Sequence, residues 1–138
     1  MKNIQLIASD IDGTLLLNGL QGIDPEIFNL IHKLQQKGIL FMAASGREYT
    51  NLRNLFSPVA DDIAYLCLNG CLTFYKGECI SKEVMDAELA RKLITTIQND
   101  SDAEVLVSGE KTCYIMPKNQ SYYEHLTNTV KNHITIVD

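Results

Sequence analysis

The sequence is poor in basic residues, proline, glycine and long apolar runs, and each shortage narrows what the protein can be. Twelve Lys and Arg stand against 17 Asp and Glu, giving a net charge of −5. The basic residues are scattered, so there is no footprint for a nucleic-acid backbone, and nucleic acid is not an expected partner. Only 3 Pro and 8 Gly occur in 138 residues, with 46% hydrophobic and 21% charged content, which is the composition of an ordinary globular chain rather than a disordered or fibrous one. The opening apolar stretch, Ile4 to Ala8, is interrupted by Ser9 and Asp10, too soon for a signal peptide or a membrane span. A cytoplasmic location with no membrane partner is therefore expected. Cys67, Cys71, Cys79 and Cys113 form no C-x-x-C pair and lie in strand-like runs, which predicts reduced, buried thiols rather than a zinc or redox site. There is no internal repeat and no low-complexity linker, and the length falls within the usual size of one domain.

What is present alternates in a regular way. Ile4 to Ala8 reads as a buried strand that stops at a cluster of Asp and Gly. Asp24-Pro25 reads as an N-cap and a first-turn proline, and Ile27, Leu30, Ile31 and Leu34 carry helical spacing, predicting a helix over Pro25 to Lys37. Ile39 to Ala44 is a second buried strand, feeding Ser45-Gly46-Arg47; a short helix over Glu48 to Phe56 and a third strand, Ile63 to Leu68, follow. Strand and helix in alternation predict a parallel sheet covered on both faces. Beyond it the style turns antiparallel. Cys71 to Tyr75 and Glu78 to Ser81 flank Lys76-Gly77 as a hairpin, and Asp86 caps a helix carrying Leu89, Leu93, Ile94 and Ile97. A strand pair is expected around Gly109, then a helix opened by a Ser121/Glu124 capping box, then Ile134 to Val137. The boundary falls near residue 82.

The chemistry is concentrated in Asp10-Ile11-Asp12-Gly13-Thr14. The four fixed positions of D-x-D-G-T arise by chance in a chain this long with odds on the order of one in a thousand. The motif also sits after an apolar strand, where open parallel sheets bind their ligands. Two carboxylates one residue apart can serve as a nucleophile beside an acid/base; a turn capped by Asp10 would not need the second one. A carboxylate attacking a phosphoryl group also needs its charge repulsion cancelled, a task suited to a hard cation with oxygen ligands.

With these residues the sequence resembles the haloacid dehalogenase superfamily, whose first motif is this pentapeptide. The resemblance implies that Asp10 forms an aspartyl-phosphate and that Asp12 protonates the leaving group and then activates water. It further implies that Mg²⁺ is held by the Asp10 carboxylate and the Asp12 backbone carbonyl. Ser45-Gly46-Arg47 resembles the second motif, so Thr14, Ser45, Gly46 and Arg47 are expected around the phosphoryl group. Alone, Ser45 would read as an N-cap; paired with the first motif it reads as catalytic. Arg47 stays open between a phosphate ligand and a solvated cation. Asn69 stays open between a substrate contact and a hairpin turn.

The S-G-R variant, the Asn69-Gly70 step and a cap after the third strand together resemble the Cof-type subfamily. The implied fold is α/β, with a Rossmann-like parallel-sheet core over residues 1–81 and part of an α/β cap over 82–138. The implied activity is a Mg²⁺-dependent phosphatase acting on a small phosphorylated metabolite, in particular a sugar phosphate. His32, His125 and His133 fall on separate elements and suggest no metal site, and Tyr122-Tyr123 suggests packing. The family pattern also includes a later Lys and an acidic motif completing the metal shell. Lys111, Lys118 and Lys131 lie in the cap-like region, and Asp100 with Asp102 follows a helix, so neither part is found. The expectation is a truncated chain, inactive alone, with self-association through exposed sheet edges. The competing reading is a non-catalytic binding or assembly module that retains the first two motifs.

Overall fold

The computed structural model describes residues 4–17, 22–100 and 102–137; the remaining positions, Met1–Asn3 and Asp138 among them, lie outside it. The chain divides into two compact units, Met1–Glu83 and Val84–Asp138.

The first unit is a five-stranded sheet with the spatial order β1 (Leu6–Asp10), β2 (Leu40–Ala44), β3 (Ala64–Cys67), β4 (Leu72–Tyr75), β5 (Glu78–Lys82). The first three strands run parallel, in a register that sets Asp10 beside Ala44 and Ala44 beside Leu66. Their C-terminal ends therefore open on one edge of the sheet, bringing together the loops that begin at Ile11, Ser45 and Leu68. The strands β4 and β5 are antiparallel additions, joined by Lys76-Gly77, both at positive φ (51° and 81°), as a two-residue hairpin turn requires.

Helix α1 (Pro25–Gln36) starts as its sequence predicts, with the Asp24 carboxylate accepting the Glu26 N–H at 2.9 Å. Helix α2 (Tyr49–Leu55) follows β2, with Glu48 at its N-cap position. Ile31 from α1 and Leu52 from α2 meet Phe56, Ile63 and Tyr65 in one core. Phe56 stands edge-on to Phe28 with ring centroids 6.2 Å apart, and Tyr49 stacks on Phe74 at 3.8 Å. Complete burial of each large side chain contributes roughly 1.5–3 kcal/mol, so the loops at the open edge spring from a rigid base.

One strand departs from its expected burial. β1 is an edge strand, with Leu6, Ala8 and Asp10 exposed and Ile7 and Ser9 half-buried. An apolar run does not distinguish a central strand from one that has a neighbour on one side only. The cysteine expectation also needs correction. All four thiols are free, but Cys71 is exposed and Cys79 half-buried, leaving Cys67 and Cys113 as the buried pair. Cys71 precedes β4 rather than lying within it, and a position in the turn has no opposing layer to cover it.

The second unit holds α3 (Ala87–Asp100), a three-stranded sheet of β6 (Leu106–Ser108), β7 (Cys113–Ile115) and β8 (Ile134–Ile136), and α4 (Gln120–Glu124). β7 pairs antiparallel with β6 and parallel with β8. Asp86 caps α3 by accepting the Leu89 N–H at 2.9 Å. The expected capping box at Ser121 and Glu124 does not form. Asn119 is the N-cap instead, accepting both the Ser121 N–H and the Ser121 hydroxyl at 2.9 Å. The Glu104 carboxylate in turn anchors the Asn119 N–H at 2.6 Å, a tertiary bond that starts the helix earlier than the local pattern suggests. The helix then widens into a π turn over His125–Thr129. Among the described residues no helix is long and apolar enough to cross a membrane.

Candidate active site

The site is built from the residue between the two carboxylates. Ile11 is completely buried, and its carbonyl oxygen accepts the N–H groups of Thr14, Leu15 and Leu16 at 3.1, 3.0 and 2.8 Å. Turning this one side chain into the core leaves Asp10 and Asp12 on either side of it exposed at the open sheet edge. The loop can close this tightly because Gly13 adopts φ +84°. An added Cβ there would meet nothing within 4 Å, so the requirement is the backbone conformation and not space. The Thr14 hydroxyl donates to Asp10 Oδ2 at 3.2 Å, leaving Oδ1 without a donor among the described residues.

The second loop supplies partners for Asp12. The Ser45 N–H donates to the Leu66 carbonyl at 2.9 Å, which locks the end of β2 to β3 and leaves Ser45 buried. Its hydroxyl donates to Asp12 Oδ2 at 3.4 Å and accepts the Arg47 N–H at 3.2 Å. The N-cap alternative for Ser45 is thus not what forms, since α2 begins at Tyr49. Arg47 is not a solvated cation either. Its Nε donates to Asp12 Oδ2 at 2.9 Å and its Nη2 to Asp12 Oδ1 at 2.7 Å, while Nη1 donates to Asn51 Oδ1 at 2.8 Å. The hydrogen bonds from Arg47 hold the Asp12 carboxyl below the ordinary aspartate range; partial burial opposes this, and the charge of Arg47 and the Ser45 hydroxyl reinforce it. The Arg47 guanidinium is raised by the same pairing with Asp12.

The third loop closes against the second. Leu68 and Asn69 both adopt positive φ, 50° and 56°, an uncommon conformation for a branched side chain such as leucine. Two backbone bonds hold them there: Leu68 N–H to the Arg47 carbonyl at 3.1 Å and Asn69 N–H to the Ser45 carbonyl at 3.3 Å. A Cβ on Gly46 would come within 2.9 Å of Asn69 Oδ1, so the carboxamide lies directly over Gly46. Asn69 is therefore both a turn residue and a neighbour of the site.

The structure joins Asp12, Ser45 and Arg47 in one hydrogen-bonded group, sets Asn69 on Gly46, and pairs Asp10 with Thr14. The histidines lie elsewhere: His32 bonds Gln35 at 3.2 Å and His133 the Lys111 carbonyl at 3.3 Å. Sequence reasoning missed Asn51; Arg47 precedes the N-cap of α2, so no helical spacing pointed from one to the other, and the only signal was a polar residue beside the apolar Leu52 on a short helix. For a metal, the described residues hold no group of three His, Cys, Asp or Glu side chains. Asp10 Oδ1 and the Asp12 backbone carbonyl are two hard oxygen donors without partners among the described residues, the donor type that Mg²⁺ prefers.

A family model for haloacid dehalogenase-like hydrolases matches residues 7–138. The chain belongs to this family, in its Cof-type group. This hydrolase-family chain is 28% identical over 120 residues to a 5-amino-6-(5-phospho-D-ribitylamino)uracil phosphatase of Escherichia coli, a match covering 84% of the chain and 43% of that protein. It is 33% identical over 97 residues to a phosphoglycolate phosphatase of Sulfolobus acidocaldarius, covering 70% of the chain and 41% of that protein. A crystal structure from Eubacterium rectale superposes with a TM-score of 0.86 at 27% identity, over 98% of this chain and 51% of the other. The chain thus spans about half the length of the relatives it matches.

Proposed function

We propose that the chain carries the phosphoryl-accepting site of a Mg²⁺-dependent phosphatase for a small phosphorylated metabolite, with a sugar phosphate as the favoured substrate class. One observation carries this reading: burial of Ile11 leaves Asp10 and Asp12 exposed together at the open ends of parallel strands, with Asp12 held by Ser45 and Arg47. The two relatives named above are phosphatases named for small phosphorylated substrates.

Asp10 is the nucleophile. The Thr14 hydroxyl orients the carboxylate, and the carboxylate oxygen not given to the metal attacks phosphorus while the bond to the leaving oxygen breaks, giving an aspartyl-phosphate. Asp12 gives its proton to that oxygen, then takes one from the water that hydrolyses the acyl phosphate, so that Asp10 is regenerated and phosphate leaves. In the form described Asp12 is the ion-paired carboxylate, the state that suits the second step. Ser45, Gly46 and Arg47 receive phosphoryl oxygens, and Asn69 touches the remainder of the substrate. Mg²⁺ held by Asp10 and the Asp12 carbonyl would offset the repulsion between carboxylate and phosphoryl group.

On this reading, residues 1–81 are the catalytic core and 82–138 belong to a cap, and the protein works in the cytoplasm. The test is acid quenching after incubation with Mg²⁺ and a panel of sugar phosphates, followed by mass spectrometry of the Asp10 peptide. Phosphoryl label is expected on Asp10 and none in Asp10→Asn. Full turnover of p-nitrophenyl phosphate by Asp10→Asn would remove Asp10 from its role. A second reading, a binding or assembly module, draws on the two-oxygen metal set and on the exposed β1 edge, which offers unpaired backbone groups to a second copy. It predicts Mg²⁺-independent self-association and no label.

A further inference from the structure

We propose that Asn51 is a positioning residue that fixes the Arg47 guanidinium against Asp12, so that the donors Arg47 has left are presented as a pair to phosphoryl oxygens of the substrate. The proposal rests on the reading of Asp12 and Arg47 as parts of a phosphoryl-transfer site. A guanidinium has five N–H donors. Arg47 commits Nε and one N–H of Nη2 to Asp12, and one N–H of Nη1 to Asn51. One N–H therefore remains on each terminal nitrogen, and both can donate to phosphate oxygens.

What makes Asn51 informative is where its carboxamide lies. Asn51 is only 7% exposed on α2, beside the fully buried Leu52, at a position where an apolar residue would serve packing alone. It is thus set by the core before any ligand arrives, and its 2.8 Å bond to Nη1 transfers that rigidity to a long, flexible side chain. Asp12, by contrast, is itself exposed, so the buried anchor of the guanidinium is Asn51. Being neutral, Asn51 restrains the guanidinium without acting as a rival anion, so the positive charge stays available to Asp12 and to substrate.

The test is ¹⁵N NMR of the arginine side chains in the 138-residue chain, with exposed Arg91 as the internal reference. Arg47 should show slow guanidinium rotation with resolved Nη signals, and Arg91 averaged ones. Asn51→Leu, which keeps the branching at Cγ and removes the acceptor, should average the Arg47 signals, and Asn51→Asp, which keeps an acceptor oxygen, should restore them. With Mg²⁺ present, Asn51→Leu should also weaken binding of inorganic phosphate about tenfold, the effect of loosening one charge-assisted contact. Circular dichroism and thermal melts report whether each variant folds. If Asn51→Leu leaves Arg47 restrained, Asn51 only packs and the proposal is wrong. Should that variant fail to fold, the wild-type spectrum decides, because Arg47 signals as mobile as those of Arg91 would overturn it. Wild-type protein that does not bind phosphate at all overturns the substrate part together with the reading beneath it, whereas the rotation measurement judges Asn51 separately.

Discussion

Replacing both members of the Asp12–Arg47 pair, singly and together, as Asp12→Asn and Arg47→Gln, tests the electrostatic centre of the site without depending on turnover. Two unit charges about 4 Å apart interact by roughly 1 kcal/mol in bulk water and about 4 at an effective dielectric of 20. Side-chain exposures of 53% for Asp12 and 29% for Arg47 place this pair near the aqueous limit. Exposed pairs generally yield about 0.2–1 kcal/mol, because two long side chains must be held in one geometry. Here the geometry is bidentate and Arg47 is restrained by Asn51, so a coupling energy at the top of that range, about 1 kcal/mol, is expected from urea unfolding at pH 7. The pH dependence follows from the direction of the shift. Asp12 is depressed in the folded state, so its contribution is fully present above the unfolded value of about 3.9 and disappears as the pH falls through the lower folded value. Coupling should therefore survive at pH 5, vanish in strong acid, and shrink with added salt. Coupling indistinguishable from zero at pH 7 and low salt would refute the argument, as would coupling that persists after Asp12 is protonated.

Three further outcomes are expected. Calorimetry should show weak Mg²⁺ binding that Asp10→Asn removes, because one carboxylate and one carbonyl leave most of an octahedral shell to water; a tight, stoichiometric site would contradict the two-donor assignment. Gly46→Ala should lower stability by less than about 1 kcal/mol, since its Cβ meets the mobile tip of Asn69 at 2.9 Å and no positive φ is involved; a denaturation measurement giving a loss above about 3 kcal/mol would mean that Asn69 cannot move aside. Alkylation followed by mass spectrometry should modify exposed Cys71 first and Cys67 last, because burial pushes the Cys67 thiol up to about 12 and the reactive species is the thiolate; early loss of Cys67 would mean that the β3 core opens readily.

What was legible in the sequence was whatever local chemistry dictates. Asp24-Pro25 had one reasonable reading, and so did Lys76-Gly77, because a cap and a two-residue hairpin impose backbone and hydrogen-bond demands that few residues meet. The D-x-D-G-T run was legible for the same reason, with Gly13 at φ +84° supplying the tight turn. The errors arose where a distant residue changed a local choice. Asn119 displaced Ser121 as a cap because Glu104, fifteen positions earlier, holds its N–H. The exposure of β1 depends on which strands flank it, and an apolar run carries no such information. Arg47 was the intermediate case: its spacing from the second strand suggested a role at the site, yet only the fold shows Asp12 and Asn51 taking opposite ends of its guanidinium. The consequence for function is specific. The two carboxylates can be recognised from a pentapeptide, but the protonation of Asp12 depends on an arginine 35 positions further along, and that arginine is bonded to a buried asparagine on the next helix. A chain that retained D-x-D-G-T with an unrestrained residue at position 47 would look the same in its first motif and hold Asp12 differently, so the state of Asp12 must be judged from the second loop and not from the first motif.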